Sequence, residues 1–264
     1  ANITAFPDFA LKWMLQNVED YDVETLDLSA LEAIFNGSEP VDAGVIRIFE
    51  NKMIPGRLKR GIIYPVYGMA EAVVGISIPR KNSGVRILEG KSSGVSLGEA
   101  LDGIQMEIRD DEGNPVSQGE VGEIVIKGSC VAKKRIPDFE ESDFTMDGFL
   151  RTGDLGFMSG DEVCITGRKK DMFILNGKNY YLNDIDKVLE RNGMPGLAAA
   201  YIQMTKELII FAEQGMIPPS DKEKALGKAN VILGRDMHIS ASDIVIVPAI
   251  PRTVSGKIRR FMLV

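Results

Sequence analysis

Two short apolar runs, Leu31–Phe35 and Ile62–Val66, each stop at a glycine-bearing turn, Asn36-Gly37 and Tyr67-Gly68. Between them, Val41 to about Met53 carries Val45, Ile46 and Phe49 at helical spacing and ends before Pro55-Gly56. A strand, a helix and a second strand in that order predict a parallel sheet covered by helices, because parallel neighbours need a crossover rather than a tight hairpin. A further amphipathic helix is predicted from Asp8 to about Val18, where Phe9 and Trp13, and Leu11 and Leu15, pair at i,i+4 and Met14 and Val18 continue the stripe. Ligands of such sheets settle at the carboxyl ends of the strands, so the two turns are the first candidates for a site.

From about Leu97 the pattern turns to β. Ile104–Ile108 alternates apolar and polar residues, Asp110–Asn114 reads as a turn, and Gly122–Gly128 alternates again. Val163–Thr166 and Met172–Leu175 flank a charged turn, Gly167–Asp171, where a domain boundary is expected. The remainder predicts a hairpin, a helix over Asn183–Arg191, and strands over Leu197–Met204 and Glu207–Glu213. A helix over Ser220–Leu233, a strand over Ile244–Val247 and a polar loop, Pro251–Arg260, follow. A chain of 264 residues suits one large domain or two ordinary ones and can bury a core without disulfides.

Composition narrows the chemistry. The formal charge of −7 argues against nucleic acid as a partner. The single histidine, His238, excludes multi-histidine metal sites and leaves imidazole catalysis one candidate. Cys130 and Cys164 lack C-x-x-C spacing and sit in β-like apolar runs, which suggests reduced thiols in a cytoplasmic protein. No run of 18 apolar residues marks a transmembrane segment, and Ala1 opens neither a signal peptide nor an initiator-methionine start. Cys130, Cys164 and His238 are accordingly read as structural.

Further polar loops fall in order behind the first two. Arg151-Thr152-Gly153-Asp154 precedes a β segment, Gly167–Asp171 forms the charged turn, and Pro251–Lys257 lies in the tail. Each alone reads as an ordinary turn, hairpin or solvated tail. Their order and spacing together resemble the adenylate-forming superfamily: acyl-CoA synthetases, fatty acyl-AMP ligases and nonribosomal-peptide adenylation domains. The match runs through Gly37–Pro40, Tyr67–Glu71, Gly122–Gly128, Arg151–Asp154, Gly167–Gly177 and Pro251–Lys257, nearly the whole chain. The wording of these stretches is most similar to fatty acyl-AMP ligases, and Ala70, where acyl-CoA synthetases usually carry Thr, supports that choice.

The resemblance implies an α/β fold. It would comprise a partial α/β layer (about 1–96) and a β-rich, barrel-like subdomain (97–167) of a large AMP-binding domain, then a small mobile α+β domain (168–264). It implies an enzyme that forms an acyl-AMP from ATP and a carboxylic acid, most simply a fatty acid. The acyl group would pass to the pantetheine thiol of an acyl carrier protein or CoA. Asp154 would accept from both ribose hydroxyls, and Glu71 would hold Mg²⁺ beside the phosphates. Tyr67, with Gly68 beside it, would stack on adenine, and the backbone of Gly37, Ser38, Glu39 and Pro40 would flank the base. Arg168 would contact ribose or phosphate, and Lys170 would mark the hinge. Gly177 would face the acceptor thiol, and Lys257 would bridge the substrate carboxylate and the α-phosphate.

Two departures accompany the likeness. No Gly-, Ser- or Thr-rich phosphate loop precedes the motifs in residues 1–66, so the chain reads as the C-terminal part of a longer enzyme, inactive alone. The stretch Ala72–Val121 looks too short for the insertion typical of fatty acyl-AMP ligases, which leaves CoA and carrier protein both open as acceptors. The alternative is a non-catalytic remnant that binds an acyl carrier protein or AMP.

Overall fold

The alternating strands and helices of the first 66 residues form one layer in the computed structural model, which describes residues 1–90, 92–134, 138–253 and 258–263. Strands β1 (Ile3–Phe6), β2 (Ala33–Asn36) and β3 (Ile63–Pro65) lie side by side in that order, all parallel. Helices α1 (Asp8–Asn17), α2 (Asp20–Glu24) and α3 (Ala43–Met53) make the crossovers. Leu11, Val23, Ile46, Phe49 and Met53 bury their faces against Ile34 and Ile63. Strand β1 and helix α2 are absent from the sequence expectation, because runs of 4 and 5 residues are too short to display a period. Helix α3 begins where Asp42 caps it, its carboxylate accepting from the Gly44 amide at 2.8 Å.

The next stretch is β throughout. It holds β4 (Ser77–Ile78), β5 (Ile87–Glu89), β6 (Ser93–Val95), β7 (Glu99–Ala100), β8 (Ile104–Arg109), β9 (Gly122–Gly128), β10 (Leu150–Ser159) and β11 (Glu162–Arg168). Six of these form an antiparallel sheet in the order β4-β7-β11-β10-β9-β8, while β5 and β6 pair as a separate hairpin. Strand β10 is visible from the sequence only as a turn with β to follow; Arg151–Asp154 lies inside it, as an irregularity. The expected charged turn is likewise shorter than it reads. Gly167 and Arg168 still pair with β10, and only Lys169–Asp171 turns, as a single 3-10 turn.

The β5–β6 hairpin packs Leu88 onto Phe157 and Cys164. Burial pushes the Cys164 thiol up to about 12, so it stays protonated and behaves as a small hydrophobe. Gly94 of β6 lies over it so closely that an added Cβ would stand 2.4 Å from Sγ.

By contacts the chain divides into two units, Ala1–Lys169 and Lys170–Val264. In the second, β12 (Met172–Leu175) and β13 (Lys178–Tyr181) form a hairpin, followed by α4 (Leu182–Arg191), β14 (Ala198–Ile202), β15 (Glu207–Glu213), α5 (Lys222–Met237) and β16 (Asp243–Val247). Strand β15 is central, antiparallel to β14 and parallel to β16. One face of this sheet (Ala199, Ile210, Ala212, Ile244) receives Ile185 and Leu189 of α4 and Ala229, Ile232 and Leu233 of α5. The other face (Ala198, Ala200, Ile209, Phe211) is covered by Ile250, Ile258 and Leu263. Arg260, 7% exposed, clamps the tail: Nη1 donates to the Ala199 carbonyl at 2.6 Å and Nη2 to Asn183 and Asp186 of α4 at 2.5 Å. His238 closes α5 in the left-handed region (φ +58). The mixed α/β class expected from the sequence is the one found, and among the described residues no helix is long and apolar enough to cross a membrane.

The contact between Gly94 and Cys164 can be tested by a double-mutant cycle. Gly94→Ala is expected to cost about 1–3 kcal/mol by overpacking, and much less in a Cys164→Ala background, where the methyl group takes the place of the sulfur. Urea unfolding of the four proteins checks it; additive losses would refute the contact as the cause.

Candidate functional site

The turns after β2 and β3 are neighbours. Val66 donates its amide to the Asn36 carbonyl at 2.8 Å, and a Cβ on Gly37 would come within 2.9 Å of the Val66 carbonyl. Glycine is therefore required at position 37 for close approach. Gly68 is required for the same reason, since a Cβ there would lie 1.5 Å from the Val74 carbonyl. The single turn Ala70–Ala72 follows and carries Glu71, half-buried, whose backbone carbonyl accepts from Ala132 at 2.7 Å.

The loop from Asn36 to Asp42 is stapled to the start of α1. Asn36 Nδ2 donates to the Phe6 carbonyl at 2.9 Å, Glu39 accepts from the Phe9 amide, and Asp8 accepts from the Asp42 amide at 3.2 Å. Glu39 is thus an anion at a helix N-terminus, where the first-turn amides lack partners. Ser38 sits at φ +69, an uncommon conformation for a residue with a side chain, held by these staples. Among the described residues, Asn36 Oδ1 is the buried side-chain atom with no hydrogen-bond partner, and it lies where this loop begins.

A carboxylate from far along the chain meets the second turn. Tyr67 Oη donates to Asp154 Oδ2 at 2.8 Å, and Arg168 Nε faces Asp154 Oδ1 at 2.8 Å. Burial first, and then the Asp154 charge, hold the Tyr67 hydroxyl well above the ordinary phenol value, so it remains a donor. Tyr67 is only 5% exposed, so its contribution in this conformation is the hydroxyl rather than a free ring face. Asp154 itself is 4% exposed, while the Arg168 side chain is 46% exposed and reaches toward solvent.

Asp154 owes its direction to an interruption of strand pairing. Arg151 lies opposite Val125 and Leu155 opposite Glu123, so β10 holds two more residues than β9 across the break. Gly153 takes φ +71 there. Thr152 Oγ1 donates to the Ile124 carbonyl at 2.7 Å and accepts from the Asp154 amide at 3.1 Å.

The structure thus brings Tyr67, Asp154 and Arg168 together by direct bonds, and sets Gly37 beside Val66, the residue before Tyr67. Pro40 follows Glu39 in the stapled loop. Lys170 is exposed and opens the second unit, and Gly177 (φ +75) sits with Asn176 (φ +51) in the turn between β12 and β13. That pair of positive angles is what a two-residue hairpin turn demands of Asn-Gly. Lys257 lies outside the described residues, as do Val254, Ser255 and Gly256 of the same motif. Among the described residues no group of three His, Cys, Asp or Glu could hold a metal. A lone carboxylate such as Glu71 suits Mg²⁺ only where phosphate oxygens and water complete the shell. The residues that sequence reasoning missed are Asp8, Glu123 and Lys169. Glu123 was visible only as a charge inside the apolar run Gly122–Gly128.

Comparison with known proteins bears on this arrangement. A family model described as AMP-binding enzyme matches residues 2–134. A long-chain-fatty-acid–AMP ligase of Mycobacterium marinum is 29% identical over 97% of this chain and 51% of its own. A medium-chain-fatty-acid–acyl-carrier-protein ligase of Teredinibacter turnerae is 33% identical over 70% of this chain and 34% of its own. Among solved structures, one from a study of fatty acyl-adenylate ligases of E. coli and L. pneumophila matches at TM-score 0.88 and 25% identity, over 98% of this chain and 52% of the other. The chain spans about half the length of the curated relatives it matches.

Two substitutions test the geometry. Tyr67→Phe removes a donor from a buried carboxylate and is expected to lower unfolding stability by about 1–3 kcal/mol, read by urea titration; no loss would mean that the bond does not form. Burial raises Asp8 from 3.8 to about 6, opposed by the Asp42 amide and Lys12 and reinforced by Glu39 and Asp42. Its folded form binds a proton more tightly than its unfolded form, so its stabilisation is complete below about pH 4 and lost as pH rises through about 6. Asp8→Asn is therefore expected to flatten that part of the stability–pH curve and to raise the melting temperature at neutral pH. An unchanged slope would rule out Asp8 as its source.

Proposed function

This chain belongs to the AMP-binding enzyme family, and on that premise we propose that it is part of an ATP-dependent ligase that activates a carboxylic acid, a fatty acid in our reading, as its acyl-AMP. A carboxylate oxygen attacks the α-phosphorus of ATP, the new O–P bond forms, and the bond to pyrophosphate breaks. The acyl group then passes to a pantetheine thiol, of CoA or an acyl carrier protein, and AMP leaves. In this reading the reaction takes place in the cytoplasm.

The observation that carries the reading is the convergence of Tyr67, Asp154 and Arg168 beside the turns at the carboxyl ends of the parallel strands. Such a reaction requires the protein to hold a nucleoside, align two anions and offset the charge that builds on the α-phosphate. A buried, pre-oriented carboxylate meets the first requirement, since Asp154 accepts from the ribose hydroxyls while Tyr67 and Arg168 keep it from turning. Arg168, half in solvent, is free to reach ribose or phosphate. The backbone of Gly37, Ser38, Glu39 and Pro40 flanks the base, and Tyr67 serves through its hydroxyl on Asp154. Glu71 is the residue that would hold Mg²⁺, which supplies positive charge to the phosphates when bound.

Lys257 serves adenylation by contacting the substrate carboxylate and the α-phosphate. In the same reading the second unit forms the mobile domain, Lys170 is its hinge, and Gly177 faces the thiol after the domain turns. The names of the relatives, a fatty-acid–CoA ligase among them, support a fatty acyl substrate and leave the acceptor as either CoA or a carrier protein.

The full-length protein that carries this chain is expected to catalyse fatty-acid-dependent ATP–pyrophosphate exchange, and Lys257→Ala to lower the rate about a hundredfold or more. Exchange untouched by Lys257→Ala would remove that residue from the mechanism. Binding of AMP or an acyl carrier protein without any exchange would favour a non-catalytic binding module instead.

A further inference from the structure

The interruption between β9 and β10 leaves backbone groups without their ladder partners inside the protein, where each must be satisfied. Thr152 satisfies the Ile124 carbonyl and the Asp154 amide. The Gly153 amide is satisfied by a charge: it donates to Glu123 Oε1 at 3.3 Å. The other oxygen of the same carboxylate accepts from Arg151 Nη1 at 2.9 Å and from Lys169 Nζ at 3.3 Å. Lys169 also reaches Asp111 at 2.8 Å.

Glu123 is 6% exposed, and these bonds have a consistent geography. Gly153 directly precedes Asp154, and Lys169 directly follows Arg168, so one buried carboxylate grips the neighbours of both members of the Asp154–Arg168 pair. Lys169 is also the last residue of the first unit. A buried anion is tolerated only where donors surround it, and removing the charge takes one partner from Arg151 and one from Lys169 at once.

We propose that Glu123 is a positioning residue: it fixes where Asp154 and Arg168 stand, and so sets the affinity of the nucleoside site, while anchoring the chain up to the hinge. This rests on the adenylating reading above. A plain stability strut would cost folding energy and nothing else; a positioning residue moves nucleotide affinity beyond what lost stability explains.

The variant is Glu123→Gln in the full-length protein, which keeps the volume and loses the charge. Its control is Ile126→Val, a buried change in the same strand that costs about 0.5–1.5 kcal/mol and leaves every hydrogen bond of Glu123 in place. Glu123→Gln is expected to raise the KM for ATP in pyrophosphate exchange about tenfold with kcat little changed, the signature of lost binding geometry. It is also expected to speed hydrogen exchange at the Gly153 amide about tenfold, since a neutral amide oxygen holds that donor less well. Ile126→Val is expected to move neither. Should Glu123→Gln fail to fold, Lys169→Met, at a half-exposed position, takes one donor from the same carboxylate and is expected to raise the KM in the same direction by less.

Equal effects of Glu123→Gln and Ile126→Val on the KM would overturn the proposal, as would unaltered exchange at Gly153. Absence of pyrophosphate exchange in the wild-type protein would overturn the ligase reading alone, because the Gly153 measurement stands without activity.

Discussion

A strand that runs two residues long against its neighbour must put the surplus somewhere, and in this molecule it falls within Thr152-Gly153-Asp154, which stand opposite Ile124 alone. Regular pairing would have made these residues part of a sheet wall. The mismatch instead takes Asp154 out of register with β9 while it still pairs with Arg168 of β11, and its carboxylate meets Tyr67 and Arg168. The backbone groups freed with it need partners from side chains, and Thr152 and Glu123 provide them. The polar interior of the first unit is therefore a chain of compensations. A lost ladder demands a buried acid, the acid demands cations, and the cations tie down the end of β11.

What could be read from the sequence follows the range of the interaction. Gly37 and Gly68 announce themselves, because a strand followed by a glycine turn is a local pattern, and both glycines prove to be required by close backbone contacts. Asp154 and Arg168 were legible through family likeness, whereas their bond to each other and to Tyr67 was not. The Tyr67 hydroxyl and Asp154 lie 87 positions apart, and no local period encodes such a meeting. Glu123 is the clearest case of concealment. Alternation in Gly122–Gly128 suggests one face in and one out, yet Gly122 to Ile126 are all buried, which puts the acid inside. The stapling of Glu39 to Phe9 and of Asp8 to Asp42 was hidden for the same reason: each joins segments about thirty residues apart through backbone amides, which a sequence does not display.

The second unit solves a different problem. A three-stranded sheet has two faces, and only one can be given to helices α4 and α5. The other is closed by Ile250, Ile258 and Leu263, so the tail is part of the core. Arg260 makes that attachment specific, since its planar fork meets a backbone carbonyl and two side chains of α4 at once. Arg252 and Ile258 pair across an isolated bridge beside it.

The roof that Gly94 makes over Cys164 gives the molecule a built-in clock. A protonated sulfur under a close backbone contact is closed to alkylating reagents until the β5–β6 hairpin lifts. With reagent in excess, the labelling rate equals the rate of that lift. With reagent scarce, it reports the fraction of molecules open at any instant. Labelling read at Cys164, apart from the half-buried Cys130, therefore measures the breathing of a single hairpin in the native protein.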